Sequence, residues 1–461
     1  MFQNRKSCII LAAGDGKRMN SNKPKVLMEV AFEPMLVWVI DAVIEAGESI
    51  GIDEIAVIVG DNNEPINACL ERYPIISTFV QSERKGTGHA VLQAKKFLER
   101  NGGDVLILCG DAPFMKAGVI ESSYVVHKSQ GFSSAIITSD MENPTGYGRI
   151  LRDGNKVSRI IEERDCTDEQ RKITEINSGA YWVNSAELLR ILPTLNNNNN
   201  NGEYYLTDAV VQMQNVMAYK TLSENVTLGA NDRQSLRNLN KIAAKMICDK
   251  HLNNGVDIIG DNSFIGKDVI IGRDSVILPG TILKGNTVIG EGCTIGPNSM
   301  IENCKIGDNV ILNNVQAFKS TIESNAKIGP FVHIRPNCVL RNGVKIGDFV
   351  EVKNSTIGEK TSIAHLTYVG DSDVGDKVNF GCGCVTANYD GINKYRTVIG
   401  DNAFIGCNTN LIAPVTIGEN AMTAAGSTVA KDVPANGLAI ERGPLNIKEN
   451  WKKNLLRSNK K

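Results

Sequence analysis

The stretch that decides the fold begins at Ile259 and repeats an aliphatic residue every six positions, often with glycine after it: Ile259-Gly260, Ile265-Gly266, Ile271-Gly272, Ile277, Leu283, Ile289-Gly290, Ile295-Gly296 and Ile301. A period of six fits neither the turn of an α-helix nor the two-residue pleat of a strand. It is typical of a hexapeptide parallel β-helix, in which one aliphatic side chain per hexad stacks into an interior column. We therefore predict a left-handed parallel β-helix of hexapeptide repeats.

The same period resumes over residues 322–352 and again over 399–429. Between these two stretches, five-residue steps and one insertion, Thr386–Thr397, interrupt the repeat. Loops that leave a rigid repeat scaffold commonly carry binding residues. We therefore expect the Thr386–Thr397 insertion to be a protruding functional loop.

Composition indicates a globular protein with free thiols. Of the 461 residues, 42% are hydrophobic and 22% are charged, as in ordinary soluble proteins. The formal net charge of -1 provides no basic field for nucleic acid or an anionic membrane, and neither is predicted as a partner. Eleven cysteines are scattered without the spacing of a metal site or a disulfide framework. With no apolar stretch of membrane-spanning length, we predict a cytoplasmic protein.

The N-terminal half alternates strand-like and helix-like segments. Strands are predicted at Ser7–Ala13, Ile55–Val59 and Val105–Leu108, and helices at Pro34–Ala46 and His89–Glu99. This rhythm predicts an α/β, Rossmann-like mixed sheet with helices on both faces. The predicted domains are 1–231 for this sheet, 232–255 for a linker helix, and 256–461 for the β-helix with a basic C-terminal tail. The low-complexity run Asn196–Asn201 is predicted to be a solvated surface loop.

Glycines and cations follow the first predicted strand in Leu11-Ala-Ala-Gly-Asp-Gly-Lys-Arg18, and Lys25 comes shortly after. Glycines let backbone amides approach phosphates closely, while Arg18 and Lys25 supply positive charge. Taken alone, the pattern is weak, because Gly-x-Gly after a strand is common and an isolated Lys25 would be an ordinary surface lysine.

Two further elements have both a functional and a structural interpretation. Gly86-Thr87-Gly88 precedes a predicted helix, where its amides could meet a nucleobase, but Thr87 could equally be the N-cap of that helix. Asp111 ends an apolar strand, the usual place for ligand groups in open α/β sheets. Its carboxylate suits Mg²⁺, and a helix-capping aspartate is the alternative.

The ordered set of motifs is more specific than its members. It comprises Leu11–Arg18, Pro24-Lys25-Val-Leu, Gly86-Thr-Gly-His-Ala, Gly110-Asp-Ala-Pro113, Gly146-Tyr-Gly-Arg149 and Glu203-Tyr-Tyr-Leu-Thr-Asp208, before the hexapeptide repeats. Over essentially the whole chain, this set closely resembles the bifunctional GlmU family. Members of that family join N-acetylglucosamine-1-phosphate uridyltransferase to glucosamine-1-phosphate acetyltransferase. The resemblance implies two-step synthesis of UDP-N-acetylglucosamine from glucosamine-1-phosphate, acetyl-CoA and UTP.

For uridyl transfer, the resemblance implies that a sugar-1-phosphate oxygen attacks the α-phosphorus of UTP and pyrophosphate leaves. Lys25 and Arg18 would stabilise the triphosphate, and Asp111 and Asn231 would bind Mg²⁺. The other implied contacts are, for the nucleotide, Leu11, Ala12, Ala13, Gly14, Gln81, Gly86, Thr87 and Asn231, and, for the sugar, Gly148, Glu162 and Asn177.

For acetyl transfer, the resemblance makes His365 the general base that takes a proton from the glucosamine amine as it attacks acetyl-CoA. A lone histidine on a β-helix wall is otherwise more often a hydrogen-bonded surface residue. The implied sugar-phosphate residues are Arg335, Lys353, Tyr368, Asn379 and Lys394, and the implied acetyl-CoA residues are Cys382, Asn388, Tyr389, Cys407, Ala425 and Arg442. Such β-helices usually trimerise with the acyl site between neighbours, so a homotrimer is expected.

This chain departs from the family pattern mainly in its cysteines: Cys109 stands where tyrosine is frequent, Cys407 where serine is frequent, and Cys382 and Cys384 where small residues are found. Two other functions remain as alternatives. One is a single-function sugar-1-phosphate nucleotidyltransferase with a regulatory or oligomerising β-helix, which would not need His365. The other is a non-enzymatic structural subunit, which would not need Lys25 and Asp111.

Overall fold

The computed structural model describes residues 5–129, 131–154, 156–449 and 451. Its contacts divide the chain into two compact units, Met1–Ala243 and Ala244–Lys461. The domain boundaries predicted at 231 and 256 stay a prediction. Most of the predicted basic tail, from Lys452 onward, lies outside the described residues.

Strands and helices alternate in the first unit. Its strands are β1 (Lys6–Leu11), β2 (Glu29–Val30), β3 (Glu33–Pro34), β4 (Ile52–Val59), β5 (Ile76–Val80), β6 (Asp104–Cys109), β7 (Ser134–Asp140), β8 (Arg149–Asp153), β9 (Lys156–Ile161), β10 (Glu175–Asn184) and β11 (Val216–Lys220). Its helices are α1 (Met35–Ile50), α2 (Glu64–Leu70), α3 (Thr87–Gln93), α4 (Lys95–Asn101), α5 (Ala117–Ser129), α6 (Asp168–Arg171), α7 (Ser185–Ile191) and α8 (Leu206–Val211), and α9 (Arg233–Asn253) continues into the second unit. Short 3₁₀ turns occur at Lys17–Met19, Lys25–Leu27, Glu163–Asp165, Leu192–Thr194 and Glu224–Thr227.

The main sheet of this unit is mixed, as predicted. Its strand order is β11-β7-β10-β6-β1-β4-β5, and the hairpin β8–β9 pairs with β10. The strands β5, β4, β1 and β6 run parallel, whereas β10 runs antiparallel to β6 and β7. Parallel strands end at one edge of a sheet, so the segments that follow β1, β5 and β6 are brought together there.

The sheet separates two hydrophobic cores because successive side chains of a strand point to opposite faces. Cys8 and Ile10 of β1 belong to one core, packed with α1 and α5, while Ile9 belongs to the other, packed with α3, α4, α7 and α8. Helices therefore cover both faces, as predicted. The prediction of a single helix at His89–Glu99 is wrong in one respect, because a break at Ala94 divides this segment into α3 and α4.

The second unit is a parallel β-helix built from three sheets that we name by order of appearance. The first sheet contains Asp257–Ile258, Val276–Ile277, Thr294–Ile295, Ile311–Leu312, Lys327–Ile328, Lys345–Asp348, Ser362–His365, Asn379–Phe380, Phe404–Ile405, Met422–Thr423 and Leu438–Ala439. The second sheet contains Phe264–Ile265, Ile282–Lys284, Met300–Glu302, Val315–Phe318, Val332–Ile334, Glu351–Lys353, Tyr368–Gly370, Val385–Ala387, Asn410–Ile412 and Thr428–Val429. The third contains Ile270–Ile271, Val288–Ile289, Lys305–Ile306, Thr321–Ile322, Val339–Leu340, Thr356–Ile357, Ser372–Val374, Thr397–Ile399 and Val415–Ile417.

The hexapeptide period is confirmed in this fold, because the aliphatic side chains at that spacing from Ile265 to Ile301 are buried in the interior. The interruption after Ile301 is filled by Ile306, Leu312 and Ala317, which are buried at steps of five or six residues. The first repeat is displaced by one residue from the predicted register. Ile258, rather than the exposed Ile259, pairs with Ile277.

Each of the eleven cysteines is a free thiol, as expected from their spacing. None of the helices in the described part of the chain combines the length and the apolar composition that a membrane span requires.

We predict that Gly347→Ala destabilises the second unit by about 1–3 kcal/mol, the usual cost of overpacking. A Cβ on Gly347 would overlap the carbonyl oxygen of Ala364 on the next coil. Urea unfolding followed by circular dichroism measures the effect. The control is Gly443→Ala, because a Cβ on Gly443 meets no atom within 4 Å. Equal unfolding midpoints for the two variants would show that the coils are not packed this closely.

Candidate active sites

The first site lies at the carboxyl edge of the mixed sheet. Leu11 ends β1, Gln81 directly follows β5, and Asp111 comes just after β6. Backbone hydrogen bonds fix the segment that contains Leu11, Ala12, Ala13 and Gly14: the Ala12 amide donates to the Ile58 carbonyl (2.8 Å), and the Gly110 amide donates to the Leu11 carbonyl (2.9 Å). The structure thus places these predicted nucleotide residues and Asp111 at one edge.

Lys25 connects the two predicted metal ligands. Its ammonium group forms an ion pair with the Asp111 carboxylate and donates to the Asn231 side-chain oxygen over 3.1 Å. Both oxygens therefore converge on one positive charge. A carboxylate and an amide oxygen are suitable donors for Mg²⁺, which keeps few protein ligands and binds substrate phosphates as well. The residues present thus fit the ion that the family implies.

The glycine-rich segment after β1 packs directly on Lys25. Gly16 has a φ of 58°, in the left-handed region, and a Cβ there would lie 2.7 Å from the Lys25 Cβ. The Arg84 Nε donates to the Ala13 carbonyl over 2.9 Å, and the Arg84 guanidinium also pairs with Asp15. The loop is consequently held on both sides, with its backbone beside the predicted phosphate-binding lysine.

The Gly86-Thr87 segment contacts the start of α8, and its predicted contact with a nucleobase stays a prediction. The Thr87 hydroxyl accepts a hydrogen bond from the Leu206 amide (3.0 Å) at the start of α8. The alternative in which Thr87 caps its own helix is therefore wrong, since the N-cap of α3 is Gly86. Gly86 has a φ of 107°, and a Cβ on it would lie 2.6 Å from the Tyr204 carbonyl oxygen. Gln81, only 4% exposed, donates to the Gly86 carbonyl over 3.1 Å.

A cavity of about 690 Å³ contains part of the predicted set. Its wall includes the predicted residues Arg18, Asp111, Gly148, Glu162, Asn177 and Asn231. The remaining predicted nucleotide residues are not part of this wall. Burial, followed by the charge of Asp165, raises the pKa of Glu162. The Asn177 side chain is oriented by donating to the Tyr181 hydroxyl (2.7 Å) and accepting from the Gly179 amide (3.1 Å).

No role was predicted for Arg149, although it directly follows Gly148 in the motif Gly146-Tyr-Gly-Arg149. Its side chain is 1% exposed, donates to the Tyr147 carbonyl and pairs with Glu163 at 2.8 Å. Glu163 in turn accepts a hydrogen bond from the Gly146 amide over 3.1 Å. The ion pair of the buried Arg149 with the half-buried Glu163 thus holds Gly146 and Tyr147 of this loop in place.

The asparagine run also contributes to this cavity. Its residues are largely exposed, as predicted, but the last of them, Asn201, lines the wall with Arg164 and Glu203. The Asn201 side chain accepts from Arg164 (2.8 Å) and donates to the Tyr205 hydroxyl (2.6 Å). Composition alone gave no sign of these tertiary contacts.

The second site lies on the second sheet of the β-helix and has Asp371 at its centre. This carboxylate is 5% exposed and accepts hydrogen bonds from the Asn354 amide (2.5 Å) and the Asn388 amide. Lys353 Nζ lies 3.8 Å from it. Burial acts to raise the pKa of Asp371, but the donated hydrogen bonds and the nearby lysines hold it below its ordinary value. Asp371 was not predicted from the sequence.

Predicted sugar-phosphate residues surround this carboxylate. The neighbouring ammonium group of Lys394, and then burial, lowers the pKa of Lys353. Arg335 donates to Glu351 over 2.9 Å, and Glu351 is paired in register with Tyr368. Three cations therefore share two carboxylates, which leaves positive charge for an anionic group. Asn379 is not part of this group, since it lies on the first sheet between Ser362 and Phe404.

The Thr386–Thr397 insertion forms a protruding loop, as predicted. Tyr389 and Lys394 form an antiparallel bridge, and the Asp390 carboxylate accepts from the backbone amides of Ile392 (2.8 Å) and Asn393 (2.7 Å). Tyr389 is 59% exposed, whereas Asn388 is buried against Asp371. The loop thus joins the charged cluster to an exposed aromatic residue.

His365 shares a column with three predicted acetyl-CoA residues. Ile363, Phe380, Ile405 and Thr423 are paired in register on successive coils of the first sheet. Two positions later in each coil come His365, Cys382, Cys407 and Ala425. The Arg442 side chain reaches the same column and donates to the Ala425 carbonyl over 3.1 Å.

The exposed positions in this column are open to a substrate. His365, Cys382 and Cys407 are exposed, and neither ring nitrogen of His365 makes a hydrogen bond within the described residues. Cys384 is buried, and burial raises the pKa of its thiol to about 11. A free imidazole on a rigid wall can accept a proton from a bound molecule.

Comparisons with known proteins agree with both halves of the fold. Residues 8–173 match the MobA-like NTP transferase domain family. Residues 286–314 and 396–431 match the bacterial transferase hexapeptide family, residues 258–283 the hexapeptide repeat of succinyl-transferase, and residues 316–406 the GMPPB C-terminal domain.

Curated relatives extend over both units. "Bifunctional protein GlmU" of Acetivibrio thermocellus is 46% identical over 460 residues, covering 98% of this chain and 98% of that protein. The proteins of the same name from Geobacillus sp. (97% of both chains) and Clostridium acetobutylicum (98% of this chain, 100% of that protein) are each 44% identical. The resemblance seen in the motifs is confirmed, and the chain belongs to the bifunctional GlmU family.

Proposed function

We propose that this protein catalyses both transfers of its family: acetyl transfer from acetyl-CoA to glucosamine-1-phosphate, and uridyl transfer from UTP to N-acetylglucosamine-1-phosphate. The observation that supports the proposal is that each unit has its own group of charged or proton-accepting side chains from the predicted sets. Lys25, Asp111 and Asn231 converge in the first unit. His365 stands in the second unit, where Arg335, Lys353 and Lys394 gather around two carboxylates.

For uridyl transfer, the chain positions two anionic substrates and compensates their charge. Lys25 and Arg18 would stabilise the triphosphate, and the Leu11–Gly14 segment follows β1 at the same edge of the sheet as Asp111. Asp111 and Asn231 would hold Mg²⁺, which would supply further positive charge to the phosphate oxygens. Glu162 and Asn177 would orient the sugar. The sugar-phosphate oxygen bonds to the α-phosphorus while the bond to pyrophosphate breaks, so positioning and charge stabilisation are the main catalytic contributions.

For acetyl transfer, His365 would take a proton from the glucosamine amine as the nitrogen bonds to the thioester carbon. The carbon–sulfur bond then breaks and coenzyme A leaves. Arg335, Lys353 and Lys394 would hold the sugar phosphate beside it, with Tyr368. Asn388, which the resemblance assigned to acetyl-CoA, donates to Asp371 and would therefore join this group instead. Acetyl-CoA would follow the column of Cys382, Cys407 and Ala425, with Tyr389 and Arg442 at its sides. Asn379, on a different sheet from the cation cluster, would contact the substrate from a separate direction.

The proposal also retains the homotrimer and the cytoplasmic location expected from the sequence. Family membership over both units argues against the single-function alternative, in which the β-helix is only regulatory. The free imidazole of His365 argues in the same direction, because a scaffold needs no exposed base at that place.

We predict that Asp111→Asn lowers pyrophosphate release by about 10²–10³-fold, the usual cost of losing one electrostatic stabilising group. The substitution keeps the shape of the side chain and removes the charge that pairs with Lys25. Acetyl transfer in the same preparation should stay near normal. Asp53→Asn is the control, because Asp53 is exposed at the opposite end of the sheet, near the start of β4. Parallel loss of both activities in a folded protein would contradict two independent sites.

We predict that His365→Ala lowers acetyl transfer by about 10²–10⁴-fold, the range for a positioned general base. Affinity for acetyl-CoA, measured by calorimetry, should change little, because the base acts on the amine. The control is His333→Ala, another histidine of the β-helix, whose ring packs against Phe318. A His365 variant that keeps most of its turnover would leave this residue without a catalytic role.

We predict that Arg149→Lys raises the KM for N-acetylglucosamine-1-phosphate by about tenfold or more, because hydrogen bonds to charged groups contribute about 1.5–3 kcal/mol. Lysine keeps the charge beside Glu163 but cannot make the forked contacts of a guanidinium. UTP binding should be less affected, since Lys25 and the Leu11–Gly14 segment are unchanged. A melting curve separates this effect from unfolding. If the KM values for both substrates rise together, Arg149 stabilises the unit and does not position the sugar loop.

A further inference from the structure

Three cysteine thiols come together on the coils that flank the Thr386–Thr397 loop. Cys382 and Cys407 are exposed, and Cys384 is buried with its Sγ 3.1 Å from the Gly406 carbonyl oxygen. Both exposed thiols are near enough to act electrostatically on Cys384, where each contributes to its raised pKa. Free cysteines are usually dispersed and buried, so two exposed thiols beside a third form an unusual group.

The two exposed cysteines lie directly opposite each other on neighbouring coils. Phe380 pairs with Ile405, so two residues later Cys382 stands opposite Cys407. The Asn408 amide donates to the Cys382 carbonyl over 2.7 Å, which fixes this register. Neighbouring strands lie about 4.7–4.9 Å apart. A disulfide joins Cα atoms that are roughly 4.4–6.8 Å apart, so the spacing of the coils suits a bond between these residues.

The glycine before Cys382 leaves room for this bond. A Cβ on Gly381 would lie 2.8 Å from the Cys407 Sγ. The Cys407 sulfur therefore leans toward the coil that contains Cys382, over a residue with no side chain. A Cβ at residue 381 would also lie 2.5 Å from the Cys407 backbone nitrogen, so the close approach of the two coils at this point depends on glycine.

We propose that Cys382 and Cys407 are an oxidisable dithiol, a modification site for small-molecule disulfides, and that closing it into a disulfide stops acetyl transfer while uridyl transfer continues. The inference rests on the proposed function, in which the thioester binds along the column from His365 to Ala425. The bonded sulfurs would occupy the middle of that column. The site of uridyl transfer is in the other unit and contains neither cysteine.

The oxidation is a two-step thiol–disulfide exchange. The Cys407 thiol loses its proton, and its sulfur attacks a small-molecule disulfide, releasing one thiol and leaving a mixed disulfide on Cys407. The Cys382 thiol then loses its proton and attacks the Cys407 sulfur, which releases the second thiol. The two protein thiols are thereby oxidised, and one small disulfide is reduced to two thiols. Excess thiol reverses both steps.

Cys384 provides an internal reference for this chemistry. The thiolate is the attacking species in exchange, and burial raises the pKa of Cys384 to about 11. Cys384 should therefore remain reduced under conditions that oxidise its neighbours.

The test treats the full-length protein with glutathione disulfide and then with excess dithiothreitol, following acetyl and uridyl transfer separately. We expect acetyl transfer to fall at least about tenfold and to return with dithiothreitol, as reversible exchange requires. Uridyl transfer should not change. Mass mapping should show a bond between Cys382 and Cys407, with Cys384 free. Cys382→Ala and Cys407→Ser, each compared with its own untreated sample, should form no internal disulfide, whereas Cys384→Ala should still form it.

Other results would overturn the inference. Two free thiols after treatment would show that the pair is not an oxidisable dithiol. If the Cys382–Cys407 disulfide forms and acetyl transfer is undiminished, the disulfide does not inhibit the enzyme. That result would contradict the inference but not the proposed function. If the untreated, folded protein has no acetyl transfer activity, the proposed function is wrong. The proposed inhibition by the disulfide is then wrong as well, even if the disulfide forms.

Discussion

The stacking of one coil directly on the next is the constraint on which the second unit depends. Backbone amides donate to carbonyls of the neighbouring coil along the β-helix, as Asn408 does to Cys382 and Gly426 does to Cys407. Register is therefore fixed residue by residue, because a slip would break the ladder and move the interior column to the surface. Glycines at close approaches, such as Gly347 and Gly381, permit this spacing. Side chains far apart in sequence consequently form straight columns on the outside.

The column that contains His365 shows how this constraint positions exposed side chains. His365, Cys382, Cys407 and Ala425 each follow a buried member of one interior column by two positions. The interior aliphatic residues determine where these four stand. In the first unit, the parallel strands β1, β5 and β6 have the corresponding role, since their common carboxyl edge gathers Leu11, Gln81 and Asp111. Both sites thus lie on rigid strands, and the connecting loops add the remaining contacts.

Much of the fold could be predicted because it rests on periodicity, which is a local property of the sequence. The six-residue period predicted the β-helix, but it missed Ile306 and Ala317, where five-residue steps keep the column buried. Site residues such as Lys25 and His365 could be proposed only from the ordered set of motifs, because each of them has an ordinary structural explanation when it is taken alone. Arg149 and Asp371 were not predicted, because their roles come from buried ion pairs and hydrogen bonds between segments distant in sequence. Contacts of this kind, between side chains that only the folded chain brings together, produce no periodic pattern in the sequence.

Electrostatics distinguishes the two sites. At the first, Asp111 balances the charge of Lys25. A triphosphate that bound as proposed would have to compete with Asp111 for the lysine, and a metal cation that replaced the ammonium group beside Asp111 would help it. At the second, Lys353 and Lys394 face each other, and their repulsion lowers the pKa of Lys353. An anionic phosphate placed between them would relieve that repulsion and raise the pKa. Binding would then favour the protonated lysine, and the attraction would weaken as the pH rises through the lowered pKa. The carboxylate of the buried Asp371, 3.8 Å from Lys353 Nζ, offsets part of that repulsion.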